Sequence, residues 1–239
     1  MADPIVTRDV RVSAHGTTEV TGARIVQVQR SLMAHNDAVA ATNREAFAHC
    51  LVINVVSSPG SGKTALLERT VRELGGELQL AVIVGDLETD NDALRIHAAG
   101  APSVQIVTGT VCHLEAEMVA RAVERLDLTS LDVLVIENVG NLVCPAAWDL
   151  GEDLRITLLS VTEGEDKPLK YPRIFREAHA VVINKLDIAE AVGYDRARAL
   201  DNLRQVTPAA QLFELSARTG EGMGSWLGFL RERLSSKRG

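Results

Sequence analysis

Residues 57–64 of the chain read SSPGSGKT and follow an apolar run, LVINVV, at residues 51–56. The next residues, ALLERTV at 65–71, have the apolar spacing of a helix. Strand, tight loop and helix in this order are the context in which such a motif binds phosphate. We expect the N–H groups of the loop and of the helix N-terminus to bind a phosphate chain. The first position is Ser57, where the usual pattern has Gly.

Single residues of this motif have separate expected roles. Gly60 and Gly62 leave room for the phosphates because they carry no Cβ, and Ser61 lies between them. The ammonium of Lys63 is expected to reach the terminal phosphates in catalysis, and the hydroxyl of Thr64 to bind Mg²⁺. By itself, the motif predicts a nucleoside triphosphate site without indicating the base.

The composition limits the classes of protein to which the chain can belong. Its 239 residues suit one α/β domain with a short appendage, and a content of 46% hydrophobic but 3% aromatic residues predicts an aliphatic core. A formal net charge of −7 argues against a nucleic-acid partner. No apolar run reaches about 18 residues, the start lacks a signal-peptide profile, and the three cysteines are an odd number. We therefore expect a reduced cytoplasmic protein without a membrane partner.

The hydrophobic pattern alternates between continuous apolar runs and amphipathic segments. Strands are predicted at residues 51–56, 78–84, 104–107, 132–136, 155–161, 180–184 and 211–215. Helices are predicted at residues 65–71, 90–98 with Asp90 as N-cap, 114–126, 194–206 and 223–234. This alternation predicts an α/β fold, a three-layer P-loop NTPase in which helices cover both faces of a mostly parallel sheet.

The predicted fold occupies residues 49–239. Residues 1–48 form a short N-terminal extension that is polar and irregular to about residue 24. Between Ile25 and Phe47 the apolar spacing predicts one or two helices that pack on the main domain or contact a partner.

Acidic residues follow two of the predicted strands, at the edge of the sheet where ligands of open α/β folds bind. Asp86 follows the second strand, and we expect it to hold Mg²⁺ or to orient a water near the terminal phosphate. Glu137 follows the strand at 132–136, and we expect it to act near Mg²⁺ or its waters. Gly140 comes three residues later, and its N–H group is the expected sensor of the γ-phosphate.

The base is indicated by the segment NKLD at residues 184–187, directly after a predicted strand. Asp187 can accept hydrogen bonds from N1–H and the amino group of guanine, and adenine lacks this pair of donors. In this order, after the phosphate motif and the acidic strand end, the segment predicts GTP rather than ATP. Residues 49–239 are therefore expected to form a P-loop GTPase domain.

Four further residues complete the expected base site. Asn184 would bond the other edge of the base and brace the phosphate loop, and the aliphatic stem of Lys185 would lie over the ring. Ser216 and Ala217, which follow the last predicted strand, match a second loop that contacts the base.

A second group of residues has the chemistry of a transition-metal site. Cys112 and His113 lie between a strand and a helix, and Cys144 follows Gly140 by four residues. Thiolate and imidazole suit Zn²⁺ and Ni²⁺, although such residues at these positions are more often part of a core or a helix start. Because adjacent Cys112 and His113 are awkward ligands for one ion within a single chain, we expect a two-fold interface to complete the site. The third cysteine, Cys50, is expected to be a small buried hydrophobe.

In this order the motifs resemble one family, the hydrogenase nickel-insertion accessory GTPases of the dimerising P-loop class. The resemblance rests on the stretches SSPGSGKT, GDLETDNDALRI, TGTVCHLEAEM, ENVGNLVCP, SVTEGEDKPLKYP and VINKLD. They span residues 51 to about 187, and the remaining C-terminal part is compatible. The family also uses Ser at the first position of the phosphate motif.

The resemblance implies a homodimer that forms on GTP binding, hydrolyses GTP slowly and gates nickel delivery to the large-subunit precursor of a [NiFe]-hydrogenase. It implies that Ni²⁺, or Zn²⁺, binds at the dimer interface to Cys112, His113 and Cys144. It implies that Lys170, or in second place Lys167, reaches the nucleotide across that interface. The implied partner is a zinc-containing accessory protein that binds nickel.

One departure and three alternatives stand beside this interpretation. Many family members bind nickel tightly through an N-terminal cysteine motif or a histidine-rich stretch, whereas here no Cys precedes Cys50 and no His cluster occurs. The urease accessory GTPases look similar but put Pro between the Cys and His of their metal loop. In a second alternative, GTP-driven dimerisation is itself the function and GTP hydrolysis is incidental. A GTP-dependent chaperone for a cobalamin enzyme is the third, and it would not need Cys112 and Cys144.

Overall fold

The computed structural model describes the backbone of residues 10–12, 18–20, 23–88 and 91–239, and the side chains of residues 32–88 and 91–239. The strands are β1 (Val10–Val12), β2 (Thr18–Val20), β3 (Leu51–Ser57), β4 (Leu80–Asp86), β5 (Ser103–Val107), β6 (Val133–Glu137), β7 (Leu154–Ser160), β8 (Ala180–Asn184) and β9 (Gln211–Glu214). The helices are α1 (Ala23–Ala46), α2 (Lys63–Leu74), α3 (Asn91–Ala99), α4 (Ala116–Val123), α5 (Lys167–Lys170), α6 (Pro172–Arg176), α7 (Arg196–Val206) and α8 (Met223–Arg238). The predicted N-cap Asp90 lies outside the described residues.

Seven strands form one parallel sheet in the order β5-β4-β6-β3-β7-β8-β9. Strands β3, β6, β7 and β8 are buried along their whole length. Such continuous apolar strands arise because helices exclude water from both faces of the sheet. The short strands β1 and β2 pair antiparallel with each other, apart from this sheet.

Successive residues of β3 point to opposite faces, because side chains alternate along a strand. Ile53 packs into the cluster that contains the buried residues of α2, α3 and α8. Val52 packs on the other face with buried residues of α4, and Val56 packs on that face with buried residues of α6 and α7. The predicted three-layer α/β fold is confirmed.

Two helical segments differ from the sequence prediction. The helix predicted at 114–126 begins only at Ala116, because Leu114 is held in a loop where its N–H donates to Oδ1 of Asn138 over 3.2 Å. Helices α5 and α6 were not predicted. Each has a proline in its first turn, and the missing N–H of proline costs nothing at that position.

The segment expected to hold one or two helices forms the single helix α1, which packs against α4. Most of the irregular stretch expected before it lies outside the described residues. The boundary between the extension and the main domain at residues 48 and 49 stays a prediction. Within the described part of the chain, no helix combines the length and apolarity needed to cross a bilayer.

Strand order decides what surrounds the end of β3. Strand β6 follows β5 in the sequence but inserts between β3 and β4, so Glu137 pairs with Val55 on one side and Val84 on the other. On its opposite side β3 pairs with β7, which in turn pairs with β8. The carboxyl ends of these strands therefore meet at one edge of the sheet, where the candidate site lies.

Candidate functional site

The phosphate loop leaves the end of β3 and closes at Gly62, directly before α2. Gly62 has a φ of 98°, in the left-handed region, and a Cβ there would lie 2.6 Å from Nδ2 of Asn184. Both the conformation and the space therefore require glycine. Helix α2 begins at Lys63, so its first N–H groups face the loop and provide positive partial charge for a phosphate.

The ammonium of Lys63 is held inside this loop. Its Nζ donates a hydrogen bond of 3.1 Å to Oγ of Ser57, and the hydroxyl of Ser61 donates to the same oxygen. Burial lowers the pKa of Lys63, and the nearby carboxylate of Glu137 opposes this shift. Ser57, noted in the sequence as a departure from Gly, thus contributes a side chain to the loop, a role that sequence reasoning missed.

Glu137 lies beside the first turn of α2. Its Oε1 accepts a 2.8 Å hydrogen bond from Oγ1 of Thr64, whereas its buried Oε2 accepts none from the described residues. Burial raises the pKa of Glu137 to about 7, although Lys63 lowers it in part. A hydroxyl and a carboxylate oxygen that lacks a partner fit Mg²⁺, which prefers oxygen ligands.

A cavity of about 360 Å³ lies over the loop and is lined by Asp86, Glu137 and Gly140. Asp86 ends β4, and its Oδ1 accepts a 2.7 Å hydrogen bond from its neighbour's N–H. Gly140 approaches the loop so closely that a Cβ would lie 3.0 Å from Cα of Pro59. The structure therefore brings together the three predicted strand-end residues at the predicted phosphate site.

Two residues of the cavity wall were missed in the sequence. Asp92 and Arg95 of α3 line the same cavity. Nη1 of Arg95 lies 3.1 Å from the Asp92 carboxylate, and Nη2 lies 2.9 Å from the carboxylate of Glu68. Charge pairs three residues apart are common on exposed helix surfaces, so the spacing of Asp92 and Arg95 did not mark them as part of a cavity wall.

The predicted base site is assembled around Asn184. Its Nδ2 donates to the carbonyl of Ser61 over 3.1 Å, and its Oδ1 accepts from the N–H of Ala217 over 3.1 Å. Nζ of Lys185 donates to the carbonyl of Gly60 over 2.6 Å. The residues predicted to brace the phosphate loop and to contact the base therefore lie together.

Lys185 and Asp187 occupy restrained positions in this site. Among the described residues, Lys185 is the one non-glycine residue with positive φ, at 67°, and such a strained conformation is typical of functional loops. Oδ1 of Asp187 accepts a 2.6 Å hydrogen bond from the hydroxyl of Ser216, and its Oδ2 lies 3.7 Å from exposed Arg218. The Asp187 carboxylate is thus oriented before any base binds.

The three predicted metal ligands lie together in a single chain. Sγ of Cys112 and Sγ of Cys144 are 2.8 Å apart, and one ligand atom from each of Cys112, His113 and Cys144 lies within 4.8 Å of the other two. The three ligand atoms therefore come together within one chain, and completion of the site at a two-fold interface stays a prediction. The backbone bends at Cys112 and His113, and Cys144 begins a short 3₁₀ helix, Cys144–Ala147.

Three residues around this cysteine cluster were missed. The His113 ring stacks on Trp148 with centroids 4.4 Å apart, and its Nε2 lies 3.6 Å from the Glu115 carboxylate. Burial lowers the pKa of His113, with Glu115 opposing, and this favours the neutral imidazole that binds metals. Nδ2 of Asn141 donates to the carbonyl of Cys112 over 3.2 Å, which joins the two ligand loops.

Residues 137–144 run without a break from the phosphate cavity to the cysteine cluster. Glu137 and Gly140 line the cavity, and Cys144 ends the segment. Between them, Oδ1 of Asn138 accepts from the N–H of Leu114, one residue past His113. One segment of eight residues therefore contacts both sites.

The two candidate lysines for contact across a dimer lie in α5. Lys170 is exposed and ion-paired with Asp166 at 2.7 Å. Lys167 is more buried, 3.5 Å from Glu163, with its Nζ 5.5 Å from the ring centre of Tyr171. Of the two side chains, that of Lys170 is the more exposed, at 63% against 22% for Lys167.

The chain is similar to known proteins in both sequence and fold. The family model described as the CobW/HypB/UreG nucleotide-binding domain matches residues 51–214. Hydrogenase maturation factor HypB of Azotobacter chroococcum is 48% identical over 217 residues, which cover 90% of this chain and 71% of that protein. The chain belongs to the HypB family of hydrogenase maturation factors. The resemblance drawn from the motifs is thereby confirmed, and the HypB family is one of P-loop GTPases.

A more distant HypB relative and one solved HypB structure extend the comparison. The protein of Helicobacter hepaticus is 40% identical over 214 residues, 87% of this chain and 88% of the relative, and is named a hydrogenase/urease maturation factor. The crystal structure of HypB from Helicobacter pylori in complex with nickel matches with a TM-score of 0.81 and 39% identity. That match covers 84% of this chain and 96% of the other.

Proposed function

We propose that this chain is a GTP-hydrolysing metallochaperone that couples nucleotide-dependent dimerisation to nickel delivery during [NiFe]-hydrogenase maturation. The observation that carries the proposal is the segment 137–144, which lines the phosphate cavity at one end and supplies Cys144 to the cysteine cluster at the other. A γ-phosphate that draws Gly140 toward the phosphate loop moves a metal ligand four residues away.

The nucleotide part of the proposal assigns GTP to the cavity and base site. Lys63 and the loop N–H groups stabilise the charge on the phosphates. Mg²⁺, held by Thr64, Glu137 and Asp86, would neutralise the negative charge that develops on the phosphate oxygens during hydrolysis. Hydrolysis by one chain is slow, and Lys170 of a second chain, with Lys167 as second choice, completes the site in a dimer.

The metal part assigns Ni²⁺ as the cargo of Cys112, His113 and Cys144. Two thiolates and a neutral imidazole suit Ni²⁺ and Zn²⁺, and a HypB relative with 39% identity has been crystallised in complex with nickel. Three ligands from one chain leave the coordination shell open. A second chain, or the nickel-binding accessory protein that hands over the cargo, completes it before delivery to the hydrogenase large-subunit precursor.

Equilibrium dialysis with Ni²⁺, combined with a measurement of the dimer fraction, tests the coupling. With a non-hydrolysable GTP analogue the dimer fraction rises and the nickel affinity changes relative to GDP. Cys144→Ala loses nickel binding and keeps GTP binding, whereas Cys50→Ala, the matched cysteine control outside the cluster, keeps both. Nickel affinity that is the same with both nucleotides contradicts the coupling.

A base-competition assay tests the assignment of GTP. Asp187→Asn removes the carboxylate that accepts two guanine donors, and we expect GTP affinity to fall by about 10–100-fold toward that of ATP. Arg218→Ala, which removes only an exposed partner of the same carboxylate, serves as the control. A variant that retains its GTP preference contradicts the assignment of Asp187.

Urease maturation is a second candidate function, because a HypB relative with 40% identity is named for both enzymes. The absence of Pro between Cys112 and His113 favours hydrogenase. Expressing the chain in a bacterium that carries both enzymes but lacks its own HypB separates the two: restored hydrogenase activity without restored urease activity excludes the second function.

A further inference from the structure

Helix α1 places two buried asparagines against the loops that carry the cysteine cluster. Asn36 and Asn43 are 4% and 3% exposed. They are seven residues apart, two helical turns, and so lie on one face of the helix. A buried amide must find hydrogen-bond partners, and here those partners lie at the start of α4 and at residues 149–150.

Asn36 joins the start of α4 to the loop that follows Cys144. Its Oδ1 accepts a 2.9 Å hydrogen bond from the N–H of Ala116, and its Nδ2 donates to the carbonyl of Asp149 over 2.8 Å. Ala116 is three residues past His113. Asp149 directly follows Trp148, the residue on which the His113 ring stacks.

Asn43 also connects the start of α4 to the segment that follows Cys144. Its Nδ2 donates to the carbonyls of Ala116 and Leu150 over 2.9 and 3.1 Å. Helix and loop are in close backbone contact here, since a Cβ on Gly151 would lie 2.8 Å from the carbonyl of Ala40. Outside this contact, Nη2 of Arg44 lies 2.9 Å from the Asp149 carboxylate.

Metal affinity depends on how accurately a protein fixes the separation of its ligands. The cysteine cluster draws its ligands from two loops, and each asparagine bonds both to Ala116, just past the first loop, and to Asp149 or Leu150, which follow Cys144. We propose that α1 is a positioning element of the cluster, in which Asn36 and Asn43 set the metal affinity through the spacing of the two ligand loops. This inference rests on the proposed metal-binding function.

Nickel titration of the full-length chain tests the proposal. We expect Asn36→Leu and Asn43→Leu to weaken Ni²⁺ binding by about 10-fold, the low end of the range for groups that bond to the ligands directly, because the asparagines act through the loop backbone. The thiolate-to-nickel charge-transfer band should weaken or shift, and GDP affinity should stay unchanged, because the phosphate loop does not contact α1 through these residues. Thr42→Ala is the matched control on the same helix, since its hydroxyl is exposed and bonds only within α1.

Unchanged nickel affinity and an unchanged charge-transfer band in both folded asparagine variants would overturn the proposal. If Asn43→Leu does not fold, Asn43→Asp replaces it, because its carboxylate keeps the size of the side chain but cannot donate to the carbonyls of Ala116 and Leu150. A loss of nickel affinity relative to Thr42→Ala supports the proposal, and an affinity equal to that of Thr42→Ala refutes it. Cys112→Ser tests the metal-binding function separately from the role of the asparagines. If this variant binds nickel normally, the proposed metal site itself is wrong, whatever the asparagine variants show.

Discussion

The phosphate loop and the cysteine cluster both lie beyond the carboxyl ends of the parallel strands, yet they are held by different contacts. The loop is one continuous turn in which Lys63 bonds to Ser57, six residues away. The cluster takes Cys112 and Cys144 from two loops, and α1 braces these loops from 73 to 113 residues away in the sequence.

The two sites differ in where their binding groups come from: the phosphate loop supplies its own from one continuous turn, which Asn184 and Lys185 brace, whereas the cluster combines groups from two loops. A glycine-rich turn followed by a helix forms its anion site from its own backbone. A metal site of two loops acquires its ligand spacing only when the surrounding elements have folded around it. Changes to one region should therefore leave the other intact, except through residues 137–144, which belong to both.

Lys63→Ala should give the largest effect and tests the independence of the two regions. The variant removes the one buried ammonium of the phosphate loop, and we expect GTP hydrolysis to fall by about 10²–10³-fold. Nickel affinity in the absence of nucleotide should not change. A steady-state phosphate-release assay measures GTP hydrolysis, and a nickel titration of the same sample measures nickel affinity. A loss of nickel binding would show that the two sites are not independent.

Glu137→Gln is expected to change how stability depends on pH. The folded chain holds a proton on Glu137 up to about pH 7, whereas the unfolded carboxyl loses it near pH 4.5. Stability of the nucleotide-free chain therefore falls as pH rises through this window, by up to about 3 kcal/mol, since one pKa unit corresponds to about 1.4 kcal/mol.

The glutamine variant should lose this slope, because its neutral amide has no proton to release. Urea unfolding between pH 5.5 and pH 8 measures the difference between the two proteins. Equal slopes for both would mean that Glu137 is ionised in the folded chain across the whole range.

Cys112→Ser should affect only the cysteine cluster. Serine is a poor ligand for Ni²⁺ and Zn²⁺ because its hydroxyl does not ionise near neutral pH, and we expect an affinity loss on the order of 100-fold. GTP and GDP affinities, measured by fluorescence with labelled nucleotides, should remain within experimental error. A parallel drop in GTP affinity would show that the coupling runs through Cys112 as well as through the 137–144 segment.

Cys50→Ala should give the smallest effect. Cys50 is 1% exposed and packs in the aliphatic cluster beneath α4, so truncation costs about 1 kcal/mol of unfolding free energy. Nickel stoichiometry and GTP hydrolysis should equal those of the unmodified chain. Chemical denaturation with a nickel titration checks both, and a reduced stoichiometry would place a third thiol in the metal site.

The sequence predicted most of the fold because its strands are continuous apolar runs. Strands β3, β6, β7 and β8 were found within two residues of their predicted ends. The helix predicted at 114–126 was too long, since Leu114 is apolar at helical spacing but is buried in a loop under Gly85. Periodicity reports that a residue is buried, not which element buries it.

The sequence identified the candidate site residues by type but not their arrangement. The residues of NKLD and of the phosphate loop were found because their motifs are contiguous. Asp92, Arg95 and Trp148 were missed, because nothing local marks a helical charge pair or a tryptophan as part of a site wall.

The sequence alone determined the chemistry of this protein: a phosphate-binding turn and a guanine-type base motif, each carried by residues that are neighbours in the chain, and two thiols with an imidazole. Only the tertiary structure decided their geometry. Inserting β6 between β3 and β4 brings Glu137 to Thr64, 73 residues away, and the fold places Cys144 beside Cys112, 32 residues away. Residue types follow from the chain itself, whereas distances between segments depend on burial energy summed over the whole core.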